Sequence, residues 1–261
     1  MDKITVFLAD WQVLFREGIH FTLSGEEDIE VIGEDVGNEQ ALAFIETNPP
    51  QVAILNASHD KVNGFEATRQ IKQTLPEVSI ILVMDNYNEG LLFDALKSGA
   101  SACFTKDVDP DVVVNTVREV VKGAQPINEA IWKKEIASRV IDYFTSLSSL
   151  GEQVRKMLAH LTTRETETLY QIADGNSKEQ IAGTLDVNDM ELDKRLGSVK
   201  YKLVSNDQKL MLIEVAQSVL PSISRVSFNG NPGTEYITKE EFDAFKESLK
   251  ERFKVLSGEI S

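Results

Sequence analysis

Cysteine is nearly missing from this chain: Cys103 stands alone, and the three histidines, His20, His59 and His160, lie far apart. One thiol cannot form an intrachain disulfide, and the isolated histidines have no metal-ligand spacing, so a disulfide scaffold and a structural zinc site are both excluded. No run of about 18 apolar residues occurs, and the N-terminus has no basic, apolar leader, so a soluble cytoplasmic protein without a membrane span is expected. Basic charge is scarce as well. Lys and Arg number 27 against 42 Asp and Glu, a net of −15. Residues 1–130 hold most of the deficit, with 9 basic residues against 22 acidic ones. A surface that acidic does not attract nucleic acid electrostatically.

What is present is an alternating pattern. β-rich runs at Ile4–Leu8, Ile29–Ile32, Val52–Leu55, Ile80–Val83 and Ala102–Phe104 alternate with helical stretches starting at Leu14 and at 38–47, 64–74, 89–98 and 110–122. Five strands alternating with five helices predict an α/β doubly wound, five-stranded parallel sheet. Ligands in such sheets gather at the carboxyl ends of the strands. Asp10, Asn56, Met84 and Lys106 all fall there and form the expected pocket.

Four stretches, Asp10 to Gly18, Asn63 to Arg69, Ala95 to Ala100 and Lys106-Asp107, resemble receivers of the NarL/FixJ class of response regulators over roughly residues 3–125. The resemblance implies an acidic pair holding magnesium, an aspartate accepting phosphate, a hydroxyl sensing it and a lysine contacting it. Asp10 keeps half of the acidic pair and Lys106 keeps the lysine. Trp11 replaces the second acid, Asn56 the acceptor and Met84 the hydroxyl. An amide has neither the charge nor the nucleophilic oxygen for phosphoryl transfer, so a degenerate phosphoacceptor site without a cofactor is expected. Magnesium requires hard oxygen ligands, which this set supplies poorly. Trp11 and Met84 are bulky enough to fill the vacated space. Asp10 and Lys106 are expected to pair, and Cys103 to be an inert core thiol. Ser58-His59-Asp60 is not a catalytic triad, because adjacency in a loop does not produce triad geometry.

Apolar residues from Ile131 to Leu161 recur at spacings of 3 and 4, which predicts a helical linker over 126–160 broken near Ser148-Ser149 and Gly151. Leu161-Thr162-Thr163-Arg164-Glu165 then opens a helix, and two further helices follow, the last predicted over about 189–203. Residues 161–220 resemble a LuxR-type helix-turn-helix domain, which implies a DNA partner, with Lys178, Lys194, Arg195, Ser198, Lys200 and Lys202 as candidate DNA-binding residues. Glu179 and Asp193 occupy positions where that family usually has lysine, and Asp189 and Glu191 add further negative charge. Such reversals weaken the phosphate attraction that supplies much of DNA affinity.

Residues 221–261 are expected to form a loop and an amphipathic helix, with a Thr238/Glu241 capping box and an apolar stripe of Phe242, Phe245, Leu249, Phe253 and Leu256. Taken together, the resemblance predicts a non-enzymatic, phosphorylation-independent transcription regulator. It is expected to be homodimeric, with a protein partner possible through the receiver or the C-terminal helix. The alternative is an interaction protein that has lost specific DNA binding.

Overall fold

The computed structural model describes residues 3–57 and 62–219, with side chains to Glu214. Ser58-His59-Asp60 and the C-terminal amphipathic helix lie outside the described residues. Two compact units divide the chain at Met1–Gln208 and Lys209–Ser261.

Strands β1 (Ile4–Ala9), β2 (Ile29–Asp35), β3 (Val52–Asn56), β4 (Ser79–Met84) and β5 (Ala102–Thr105) form one parallel sheet in the order β2-β1-β3-β4-β5. Every pairing is parallel. β3 and β4 are buried along their whole length, so they read as continuous apolar runs. Alternate strand residues serve opposite faces. Val6 and Leu8 pack with α1 (Val13–Ser24) and α5 (Pro110–Val121), while Phe7 and Ala9 face α2 (Asn38–Thr47), α3 (Gly64–Thr74) and α4 (Glu89–Ser98).

Local chemistry sets the helix ends. Asn63 caps α3, Asn88 caps α4, and Asp109 with Pro110 opens α5. Gly99 ends α4 in the left-handed region at φ 98°. A Cβ there would also meet Val204 Cγ1 at 3.3 Å.

The linker begins with a 3-10 segment, Pro126–Trp132, and continues as α6 (Lys134–Ser146), a second 3-10 turn over Leu147–Ser149, and α7 (Glu152–Met157). The break therefore falls in the Ser148 to Gly151 region. Two capping boxes start the next helices: Thr162 with Glu165 for α8 (Thr163–Ala173), and Ser177 with Gln180 for α9 (Lys178–Leu185). Asp186, at φ 51°, ends α9. The final helix α10 runs Asp189–Val219 without interruption, well beyond the 203 boundary that the sequence pattern predicts.

α6 joins the two halves of the first unit. It packs on both α4 and α8. Buried Phe93 and Leu96 of α4, Ile136 and Val140 of α6, and Leu169, Leu196 and Leu203 of the helical region belong to one hydrophobic core. The helix-turn-helix region is thus built onto the sheet's helical face.

Candidate functional site

The order of the chain reverses between β1 and β3, and a doubly wound sheet opens its ligand crevice at that point. Asp10 follows β1 and Asn56 ends β3, and both are buried. The Asn56 amide Nδ2 donates to Asp10 Oδ2 at 2.9 Å. Lys106, just after β5, donates from Nζ to Asp10 Oδ1 at 2.9 Å and reaches Asp85 Oδ1 at 2.8 Å. The backbone N–H of Gln12 also donates to Asp10 Oδ1, at 2.7 Å. Both oxygens of the Asp10 carboxylate are therefore engaged by groups of the chain itself.

The surrounding residues hold this arrangement in place. Asn38 Nδ2 donates to the Asn56 carbonyl at 2.9 Å and the Val62 carbonyl at 3.1 Å, tying α2 to the strand end and the following loop. Gly64 is required by close approach, since a Cβ at that position would meet the Asn56 carbonyl oxygen at 2.3 Å. Met84 is buried in the core, as its bulk implies. Trp11 departs from the expected filling role: it is 38% exposed, and its ring lies beside the ammonium of Lys106, 5.1 Å from the centroid. The Phe15 ring approaches the same ammonium at 5.4 Å. A ring face at that distance stabilises a partly desolvated cation, so Trp11 contributes a contact to Lys106 where it was expected to fill space.

These residues do not suit a divalent cation. Asp10 and Asp85 already share the Lys106 ammonium, Asn56 offers Asp10 an N–H donor, and no group of three or more metal-ligating side chains occurs among the described residues. A cavity against Asp10, lined by Phe15, Arg16, Ile19 and Val83 among others, holds only about 10 Å3. That is near the space one water occupies. Asp85 was not among the predicted pocket residues. Its position directly after β4, at a strand end, is the sequence signal that could have found it.

Cys103 is partly buried, and burial pushes its thiol up to about 12, so it stays protonated and inert at neutral pH.

The second candidate surface is the helical region. Of the predicted DNA-binding residues, Lys194 is exposed on α10. Lys178 pairs with Asp193 at 2.8 Å and lies 5.2 Å from the Trp132 ring centroid, and the hydrogen bond to Asp193 raises its pKa. Arg195 is buried, within 3.4 Å of both Glu191 Oε1 and Thr168 Oγ1. Ser198 donates to Glu165 Oε1 at 2.7 Å, and Lys202 donates to Glu165 Oε2 at 2.6 Å. Burial pushes the Glu165 carboxyl up, but bonds from Lys202, the Thr162 N–H and Ser198 outweigh it and hold the pKa below its usual value.

Lys200 points the other way. It is buried against the sheet domain, donating to the Ala100 carbonyl at 2.7 Å and Gln125 Oε1 at 2.6 Å. Two turns further along α10, Asp207 meets Arg69 Nε of α3 at 2.5 Å and Lys97 Nζ of α4 at 3.7 Å. One face of α10 thus lies on the sheet domain, while Met190, Asp193, Lys194 and Tyr201 are exposed. Glu165 and Asp207 act as hubs that the sequence pattern did not reveal, because their long-range partners lie 33 to 138 residues away.

The response regulator receiver domain family matches residues 6–118. The transcriptional regulatory protein DegU of Brevibacillus brevis is 29% identical over 219 residues, covering 82% of this chain and 93% of DegU. The response regulator protein VraR of Staphylococcus aureus is 26% identical over 214 residues, covering 82% of this chain and 97% of VraR. Among solved structures, the signal receiver domain of the putative response regulator NarL from Mycobacterium tuberculosis aligns with 47% of this chain and 99% of that one, at 26% identity and a TM-score of 0.46.

Proposed function

We infer that the protein, whose residues 6–118 match the response regulator receiver domain family, is an atypical regulator of transcription that binds DNA through its helix-turn-helix region without aspartyl phosphorylation. The observation that carries this reading is the occupied carboxylate: Asn56 and Lys106 both bond Asp10, where a receiver would assemble metal and phosphate. Asn56 supplies no nucleophilic oxygen, and Lys106 already neutralises the remaining acid. The receiver then serves as a dimerisation or protein-sensing module in the cytoplasm. DegU and VraR, named as regulators and aligned over four-fifths of the chain, support extending the regulatory reading beyond the receiver.

A second reading, an interaction protein that has lost specific DNA binding, is favoured by one specific observation. Lys178, Arg195, Lys200 and Lys202 are all committed to partners within the chain. Binding of the full-length protein to genomic fragments at about 50 and 200 mM salt separates the two. Specific binding that weakens steeply with salt supports the regulator. Binding only after Glu179→Lys with Asp193→Lys, which removes the partner of Lys178, supports the interaction protein.

A further inference from the structure

On the side of the sheet opposite Asp10, the amino ends of β3 and β4 and the carboxyl end of α5 border a cleft of about 520 Å3. That size suits a small-molecule ligand. Its wall includes Gln51, Lys72, Glu77, Ser79, Val120 and Gln125. Lys72 Nζ donates to the carbonyls of Pro76 at 3.0 Å and Val78 at 2.6 Å, which uses two of its three N–H groups. Gln51 Oε1 accepts from the Thr5 N–H, so the amide's NH2 remains a donor.

Gln125 connects this cleft to the helix-turn-helix region, because the same side chain accepts from the buried Lys200 of α10. Lys72 faces Glu77, which is exposed, and Lys200 feels the positive charge of Lys72. The acceptors at both ammonium groups are neutral carbonyls and an amide. Lys72, held by neutral carbonyls with one exposed carboxylate opposite, makes a positive site in a domain that is otherwise strongly acidic. Desolvated charge of this kind is stabilised by a counter-ion.

We propose that this cleft binds a small anion, a carboxylate or a phosphate, through the Lys72 ammonium and the Gln51 amide. A bound anion offsets the charge of Lys72 and, across Gln125, favours the protonated form of Lys200 that bonds it, which tightens the seating of α10 on the receiver. The cleft thereby gives the helix-turn-helix region an input that does not pass through Asn56. This holds whether that region contacts DNA or protein, so its failure leaves the functional reading untouched.

The test titrates the full-length protein with sodium phosphate and, separately, sodium succinate, at ionic strength held constant with sodium chloride. Amide NMR and thermal unfolding are followed together. The expected result is saturable shifts at Gln51, Ser79 and Gln125 with a rise in unfolding temperature, by phosphate if the ligand is a phosphate and by succinate if it is a carboxylate. Lys72→Met is expected to weaken the response by about tenfold or more, with Lys72→Arg retaining it. No saturable response to either anion beyond chloride overturns the proposal. So do shifts confined to the Lys106 pocket or to α9 and α10, or undiminished binding by Lys72→Met. Should Lys72→Met fail to fold, the shift map of the natural protein decides.

Discussion

Asn56 and Lys200 carry the sharpest residue-scale consequences. Asn56→Asp places a second carboxylate where an amide now donates to Asp10 at 2.9 Å, replacing a charge-assisted hydrogen bond with repulsion. The variant is expected to lose about 2 kcal/mol of stability. It is also expected to remain unmodified by acetyl phosphate and magnesium, because Trp11 still stands in place of the second acid. A stoichiometric acid-labile adduct on the intact mass would overturn the degenerate-pocket reading. Burial pushes Lys200 down to about 7, and the nearby charge of Lys72 adds to the effect. An unfolded lysine titrates near 10.4, so between these values the unfolded chain binds more protons than the folded one, and stability rises with pH. Below about pH 7 both states are protonated and the curve flattens. The expected slope is up to about 1.4 kcal/mol per pH unit, read by urea unfolding between about pH 7 and 9. Burial lowers Lys72 as well, so some slope persists in Lys200→Met. That variant should nevertheless be less pH-dependent; an unchanged slope would place the titration elsewhere.

Among the elements, α6 and α10 decide how the two halves of the first unit meet. Ile136 is fully buried on α6, in the core shared by α4 and α8. Ile136→Ala is expected to cost about 2–5 kcal/mol, measured by chemical denaturation. A loss near zero would mean that the linker does not transmit packing between the two sides. The receiver's strands and helices were legible in the sequence because apolar periodicity and turn residues agree at several boundaries, as at Asn63, Asn88 and Gly99. The full length of α10 was not. The sequence pattern ends it at about 203, but Asn206 and Asp207 beyond that point each have a distant partner. Asn206 exchanges hydrogen bonds with the backbone N–H and carbonyl of Ala159, and Asp207 pairs with Arg69 and Lys97. Sequence periodicity carries no signal for such long-range satisfaction. The sequence pattern put Asp10, Asn56, Met84 and Lys106 at strand ends but missed Asp85, and the outward position of Trp11 depends on where the Lys106 ammonium comes to rest.

At the scale of the whole molecule, one of the two apolar clusters in the unit ending at Gln208 runs from the α2, α3 and α4 face of the sheet into the helix-turn-helix region without a break. Leu92 and Leu96 of the receiver share a contiguous apolar cluster with Ile131, Ile136, Leu169, Ile172 and Leu203. The buried Lys200 contact and the Asp207 ion pairs close the same seam from α10. Pulling the helix-turn-helix region away would expose apolar surface on α4 and α6 and leave the Ala100 carbonyl without its lysine donor. Each buried aliphatic side chain returned to water costs about 1.5–3 kcal/mol. Separate melting of the two parts is therefore disfavoured, and scanning calorimetry at neutral pH is expected to show this unit unfolding in one step, with calorimetric and van't Hoff enthalpies in agreement. Two resolved transitions, the lower one shifted by Lys200→Met and the upper one unmoved, would mean that the helix-turn-helix region unfolds on its own and that the shared core does not couple it to the receiver.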